Sequence, residues 1–227
     1  MAKEGKVSMS VLSRREREKL ARRKSILQAA RELFYEHGYQ ASTIDMIAER
    51  AELSKGTIYT YFESKDELYV SAVIEAFLEL EKRLIVTANQ DLPVEEKLKA
   101  LFLAFVDHCL VYKEQLWLGS FFYTDTARKT IPRHLLDEIN EHTWKCLDII
   151  IQVVQEGKDK GVLREDVNPT EVSIISWRAA VGLLEMAIAE EENEEDEKMY
   201  VNLFDQAITL ILRAIRKEPD AKPAPST

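Results

Sequence analysis

The residues best suited to touching another molecule are gathered between Thr43 and Lys65, in the stretch TIDMIAERAELSKGTIYTYFESK. Ser54-Lys55-Gly56-Thr57 supplies, in order, a helix cap, a cation, a position open to close backbone approach, and a hydroxyl. Tyr59, Thr60 and Tyr61 add hydroxyls, and Lys65 adds a second cation. A helix that enters the major groove of DNA needs this kind of face. Short donors and acceptors reach base edges, and flanking cations meet phosphates. Ile58 and Phe62, four residues apart, would hold the opposite face in a core. The same residue types also occur in capped helical turns that bind nothing, so this spacing alone leaves both readings open.

These side chains need short helices and a brace. Ser42 or Thr43 predicts a cap for a helix carrying Ile44, Ile47 and Ala48. Ala51-Glu52-Leu53 predicts a tight connection, and Ser54 caps a further short helix running to about Phe62. Ser64 starts the next, with Asp66 and Glu67 in a first turn where the helix dipole favours acids. Upstream, Ser13 and Glu16 have capping-box spacing, and Ile26, Ala29, Ala30, Leu33 and Phe34 follow helical periodicity up to a stop at Gly38. Residues 1–12 read as a loose tail.

The remainder predicts helix after helix. Pro93 opens one at a first-turn position, another spans about Glu114 to Arg128, and Pro132 opens a long one ended by Gly157 and Gly161. Asn168-Pro169-Thr170-Glu171 is a full start signal for a helix to about Ala189. The acidic run Glu190–Glu197 reads as a solvated linker before a last helix through Leu203 and Ile215; it lacks the glycine turn of a calcium loop. With 46% apolar residues but only 7 Gly and 6 Pro in 227, the chain has a core's worth of side chains and little turn punctuation. The fold class is all-α: an N-terminal three-helix helix-turn-helix domain joined to a larger helical ligand-binding and dimerisation domain, about nine helices in total. The expected boundaries are a basic extension over 1–20, the helix-turn-helix over 21–66, the larger domain over 67–216 and a disordered tail over 217–227.

Charge is divided unevenly. Residues 1–65 carry a balance of +4 and residues 66–227 one of −13, within an overall −9. Attraction to phosphate is thus confined to one end. Arg14, Arg15, Arg17, Lys19, Arg22, Arg23 and Lys24 precede the first apolar face. They suit contact with a phosphate backbone or minor groove, or a solvated helix paired with Glu16 and Glu18.

Thr43, Ile47, Ala48, Ala51, Ser54, Gly56, Thr57, Tyr59, Tyr61, Phe62, Ser64, Lys65, Glu67 and Leu68 match a dense pattern: Thr opening a helix, then IAxxA, then SxGTxYxYFxSKxEL. The run resembles the TetR (tetracycline-repressor-like) family, in detail over residues 20–70. The resemblance implies a one-component transcriptional regulator, a repressor, released from palindromic double-stranded DNA by a small effector, and the aromatic side chains of the middle helices suit a lipophilic or aromatic one. It further implies that Thr43, Tyr61 and Lys65 hold phosphates, while Lys55, Gly56, Thr57 and Tyr59 face bases or sugars with Thr60 beside them and Ser54 capping. Glu52 departs from the pattern, standing where the family usually has Gly.

The resemblance also implies a homodimer through the last two helices and an effector cavity among the middle ones. The candidate effector contacts are Phe105, His108, Cys109, Trp117, Phe121, Tyr123, His142 and Trp177. His108, His142 and Cys109 lack metal-ligand spacing, and no nucleophile motif or phosphate-binding glycine loop is visible, so neither metal, cofactor nor catalysis is expected. No apolar stretch reaches the ~20 residues that span a bilayer, and no secretory signal is visible, so a cytoplasmic protein is expected. Two rival readings stand beside this one: a DNA-binding protein without an effector, and a ligand-binding or enzymatic helical protein whose motif is vestigial.

Overall fold

The computed structural model describes residues 13–112, 119, 121–122, 124–190 and 194–217, the side chains of 188–190 and 194–198 excepted. Among them are nine helices and no strand: α1 (Arg14–Ala41), α2 (Ile44–Arg50), α3 (Lys55–Tyr59), α4 (Lys65–Ala88), α5 (Val94–Val111), α6 (Asp125–Thr130), α7 (Arg133–Asp159), α8 (Pro169–Glu190) and α9 (Glu194–Ile215). Residues 1–12 and 218–227, expected as tails, lie outside the described residues, as do Trp117 and Tyr123.

The start signals in the sequence are used as written. Ser13 Oγ accepts from Glu16 N–H while the Glu16 carboxylate accepts from Ser13 N–H, a complete capping box. Asn168 Oδ1 accepts from the N–H groups of Thr170 and Glu171 at 3.0 and 3.3 Å. Three details differ from expectation. Pro93 and Pro132 sit at the N-cap itself, with extended ψ near 140°, so α5 and α7 begin one residue later. The helix expected up to Arg128 is interrupted at Thr124, whose extended backbone and Oγ1 bond to Ala127 N–H start α6 afresh. The acidic run is not linker throughout, because α9 begins at Glu194.

Two apolar cores share two helices, α4 and α7. The head core is built from Ile26 to Phe34 of α1, Ile44, Ile47 and Ala48 of α2, Ile58 and Phe62, and Leu68 to Val73 of α4. It also takes in Ala127 of α6, Ile131 just after it, and Leu135, Leu136 and Ile139 of α7, so its packing runs beyond residue 66. The body core holds Leu80 and Leu84 of α4 together with the inner faces of α5, α7, α8 and α9. α4 thus spans both, and it packs along α7. Gly157 lets the α7 backbone close on its neighbours: a Cβ there would lie 2.7 Å from Leu163 and 2.8 Å from Val94. The end of α9 is tied down where Arg164 N–H donates to Ile215 O and Lys217 N–H to Val162 O.

Candidate nucleic-acid interface

The reading head is assembled from local bonds. Gly38 adopts φ 77°, which ends the regular part of α1. Thr43 Oγ1 accepts from Met46 N–H and opens α2; Ser54 Oγ accepts from Thr57 N–H and opens α3; Ser64 Oγ accepts from Glu67 N–H and opens α4. Between α2 and α3, Leu53 N–H donates to Ala48 O and Glu52 N–H to Glu49 O, the two bonds of a Schellman turn. Glu52 occupies its left-handed position, φ 55°, where glycine is the unstrained residue. An unhindered backbone would be cheaper. The turn nevertheless forms with its side chain exposed.

The expected contact residues fall on a common surface. Ile58 and Phe62 are buried, while Thr43, Ser54, Lys55, Gly56, Tyr59 and Thr60 are exposed and Thr57, Tyr61 and Lys65 half-buried. Tyr59 is 48% exposed. Gly56 is more telling. A Cβ there would meet only Ser54 Oγ, at 3.8 Å, so nothing within the chain requires a glycine. Glycine inside a helix costs roughly 0.5–1 kcal/mol relative to alanine. Without a side chain, this position leaves the face open to close backbone approach.

Some groups are less free than the sequence suggested. Lys55 Nζ donates to Asp45 Oδ2 at 2.8 Å, and that carboxylate raises the lysine's pKa. Asp45 was not among the candidate residues; only the folded turn brings its helix start beside that of α3. Thr60 Oγ1 donates to Thr57 O, and the Ser54 and Thr57 hydroxyls bond each other. Lys65 Nζ donates to Tyr39 O at 2.9 Å and Ser42 O at 3.2 Å and lies 4.3 Å from the Tyr39 ring centroid. Two of its three N–H groups thus serve the carbonyls at the end of α1, and burial lowers its pKa. Tyr39 in turn hydrogen-bonds Asp66. Burial and that bond raise the Tyr39 pKa. Arg50 locks α2 to α1 through both oxygens of Glu36 and one of Glu32.

The candidate effector residues are divided among different sites. Phe105 and Trp177 face each other in the body, ring centroids 4.3 Å apart, and both line a cavity of about 30 Å³ with Leu101, Phe102, Ile150 and Ile208. That is space for about one water. His108 and Cys109 are buried on α5 outside that lining, the thiol pushed up to about 12 by desolvation. His142 is half-buried on α7 with its Nδ1 enclosed. Phe121 belongs to the head, stacked on Tyr39 at 5.2 Å and edge-on to Tyr69 at 5.6 Å.

Residues 26–72, which contain the capped helices, the turn and the exposed face just described, match the model of the bacterial regulatory proteins, tetR family. These residues form a TetR-family DNA-binding head. The TetR-family head thus coincides with the densest part of the sequence pattern. YhgD, an HTH-type transcriptional regulator of Bacillus subtilis, is 38% identical over 48% of this chain and 60% of its own length. The transcriptional repressor DhaR of a Mycobacterium species is 26% identical over 85% of this chain and 91% of its own. In overall fold the chain resembles FadR of Bacillus subtilis, solved in complex with stearoyl-CoA, at TM-score 0.73 and 19% identity over 85% of this chain and 99% of that one. The fold of both head and body is therefore shared with that solved structure.

Proposed function

We propose that the protein is a dimeric repressor that binds a palindromic operator through α3 and is released by a lipophilic or aromatic effector taken into the body. The observation that carries the DNA-binding part is Gly56: a helix glycine with no internal reason, on an exposed face between Lys55 and Tyr59. Tyr59, Lys55, Gly56 and Thr57 would meet bases or sugars. Thr43 and Tyr61 would hold phosphates, while Lys65 chiefly fixes the end of α1 against α4. Pairing through α8 and α9 is supported by the large apolar side chains they expose, Ile175 and Met186 on one, Val201 and Leu210 on the other. In a helix-turn-helix dimer that contact sets two heads about one DNA turn apart.

The effector site is the Phe105–Trp177 cavity. Its lining is almost wholly apolar, with Ser176 the one hydroxyl, and the similarity to a regulator solved with stearoyl-CoA supports a lipophilic occupant. An effector larger than a water must part the Phe105 and Trp177 rings, and the resulting shift of α5, α7 and α8 would move α4 and the head. A few kcal/mol of difference in effector affinity between the two arrangements suffices for about 100-fold release. The role is binding rather than catalysis. No described helix is long and apolar enough to cross a membrane, in keeping with a cytoplasmic setting. The smallness of the cavity favours a second reading, a DNA-binding protein with no effector.

Selection of bound duplexes from a random library, at stated salt, tests the first part. A recovered palindrome bound as a dimer is the expected result, and recovery of no common sequence by ligand-stripped protein overturns it. Titrating the operator complex with fatty acyl thioesters and steroids separates the two readings: release supports the effector switch, and unchanged affinity with every compound that binds supports the second.

A further inference from the structure

The head core begins at Ile26, yet α1 begins at Arg14. The twelve residues between are helical and, except for half-buried Arg23, exposed. They extend the helix by about 18 Å. Packing does not explain this extension. Leu20 is its one large apolar side chain and is 48% exposed. Local bonds hold it instead: the Ser13–Glu16 capping box and an Arg14–Glu18 pair at 2.8 Å. Both of its acids are spent in those bonds.

The cations that remain are ordered. The buried seam of α1 runs through Ile26, Ala29 and Leu33, in alternating steps of three and four. Continued toward the N-terminus with the same steps, it falls on Arg22, Lys19 and Arg15. The side of the helix that faces the head is apolar where the head covers it and cationic where the head ends. At the junction, Arg23 lies over the Phe62 ring, 5.1 Å from its centroid, three residues beyond the end of α3. The stripe therefore leaves the head beside the reading helix.

We propose that the first three turns of α1 are a second DNA-binding element, in which Arg15, Lys19 and Arg22 bind backbone phosphates flanking the bases read by α3. The inference rests on the DNA-binding reading above. Duplex DNA is the partner because the stripe begins beside the end of α3, where neighbouring Arg23 lies over Phe62, and because the rest of the chain, at −13, repels a polyanion and leaves this end to face it. Eighteen ångströms of helix corresponds to about five base pairs of extra reach.

The test compares the full chain with its Arg15→Gln/Lys19→Gln/Arg22→Gln variant on the selected operator, by salt-dependent affinity and footprinting. Glutamine keeps the helix propensity of the residues it replaces, and circular dichroism checks that helicity is unchanged. The variant is expected to select the same sequence, bind it at least tenfold more weakly, and protect fewer flanking base pairs. The slope of log affinity against log salt should become shallower by up to about 5 per dimer, 0.9 for each of six phosphates. An unchanged slope and footprint overturns the inference while leaving the DNA-binding reading intact. A changed preferred sequence at equal slope also overturns it, since the stripe would then be reading bases. If the parent protein selects no sequence, both readings fall together.

Discussion

In the head, helices of seven and five residues are fixed by side-chain caps at their starts, Thr43 for α2 and Ser54 for α3. In the body, α5 and α7 run for 18 and 27 residues from prolines that make no side-chain cap bond. A five-residue helix has no stability of its own, so its position is dictated by cap, turn and the one buried Ile58. The long helices are placed by packing along whole faces, where many arrangements differ by a side-chain rotation. The head is suited to presenting a fixed surface, and the body to changing its interior.

The largest expected break in this comparison is Trp177→Ala. Removing the ring opposite Phe105 should cost about 3–5 kcal/mol in urea unfolding. Operator affinity at low denaturant should change less than threefold, and an equal loss of affinity would tie the two cores more tightly than proposed. Next is Tyr59→Ala, expected to weaken operator binding about 100-fold, about 1–3 kcal/mol per head. Its unfolding midpoint should barely move, because the side chain is exposed. Gly56→Ala should push the two readouts apart: about 0.5–1 kcal/mol more stable, yet about tenfold weaker on operator. A variant that is stabilised and binds equally well would remove the argument for close approach at this residue. Glu52→Gly should relieve the left-handed turn by about 1 kcal/mol and leave operator affinity alone.

The smallest effect at neutral pH belongs to the body thiols. Burial pushes both Cys109 and Cys146 to about 12. A thiol raised in the folded state contributes stability that is complete below its unfolded value of about 8.5 and declines as pH rises toward 12. Stability should therefore fall above pH 9, by up to about 1.4 kcal/mol per pH unit for each thiol, and the Cys109→Ala/Cys146→Ala variant should fall less steeply. Neither thiol should react with maleimide at pH 7.5 before unfolding.

The head was legible because its determinants are local. Ser13, Thr43, Ser54 and Ser64 each cap the helix that the sequence assigns to it, as Asn168 does in the body. Lys65 shows where locality ends: its carbonyl partners are 23 and 26 residues away and are delivered by the turn at Gly38. Phe121 shows the same for the body. Apolar periodicity says that a ring is buried, but not in which of two cores, and Phe121 joins Tyr39 and Tyr69 rather than Phe105 and Trp177. Cavity size is less legible still, since it depends on how two facing rings share a volume.

The sharing of α4 between the two cores has a mechanical consequence. Twenty-four residues make a rod of ~36 Å, gripped by the body at Leu80 and Leu84 and by the head at Leu68 to Val73. A tilt of about 5° at the body end carries the far end ~3 Å. In a symmetric pair the two rods swing in opposite senses, so the separation of the reading helices changes by ~6 Å against a DNA repeat of about 34 Å. A tilt that small, were an occupant of the body to cause it, would set the two heads out of step by about a sixth of a DNA turn.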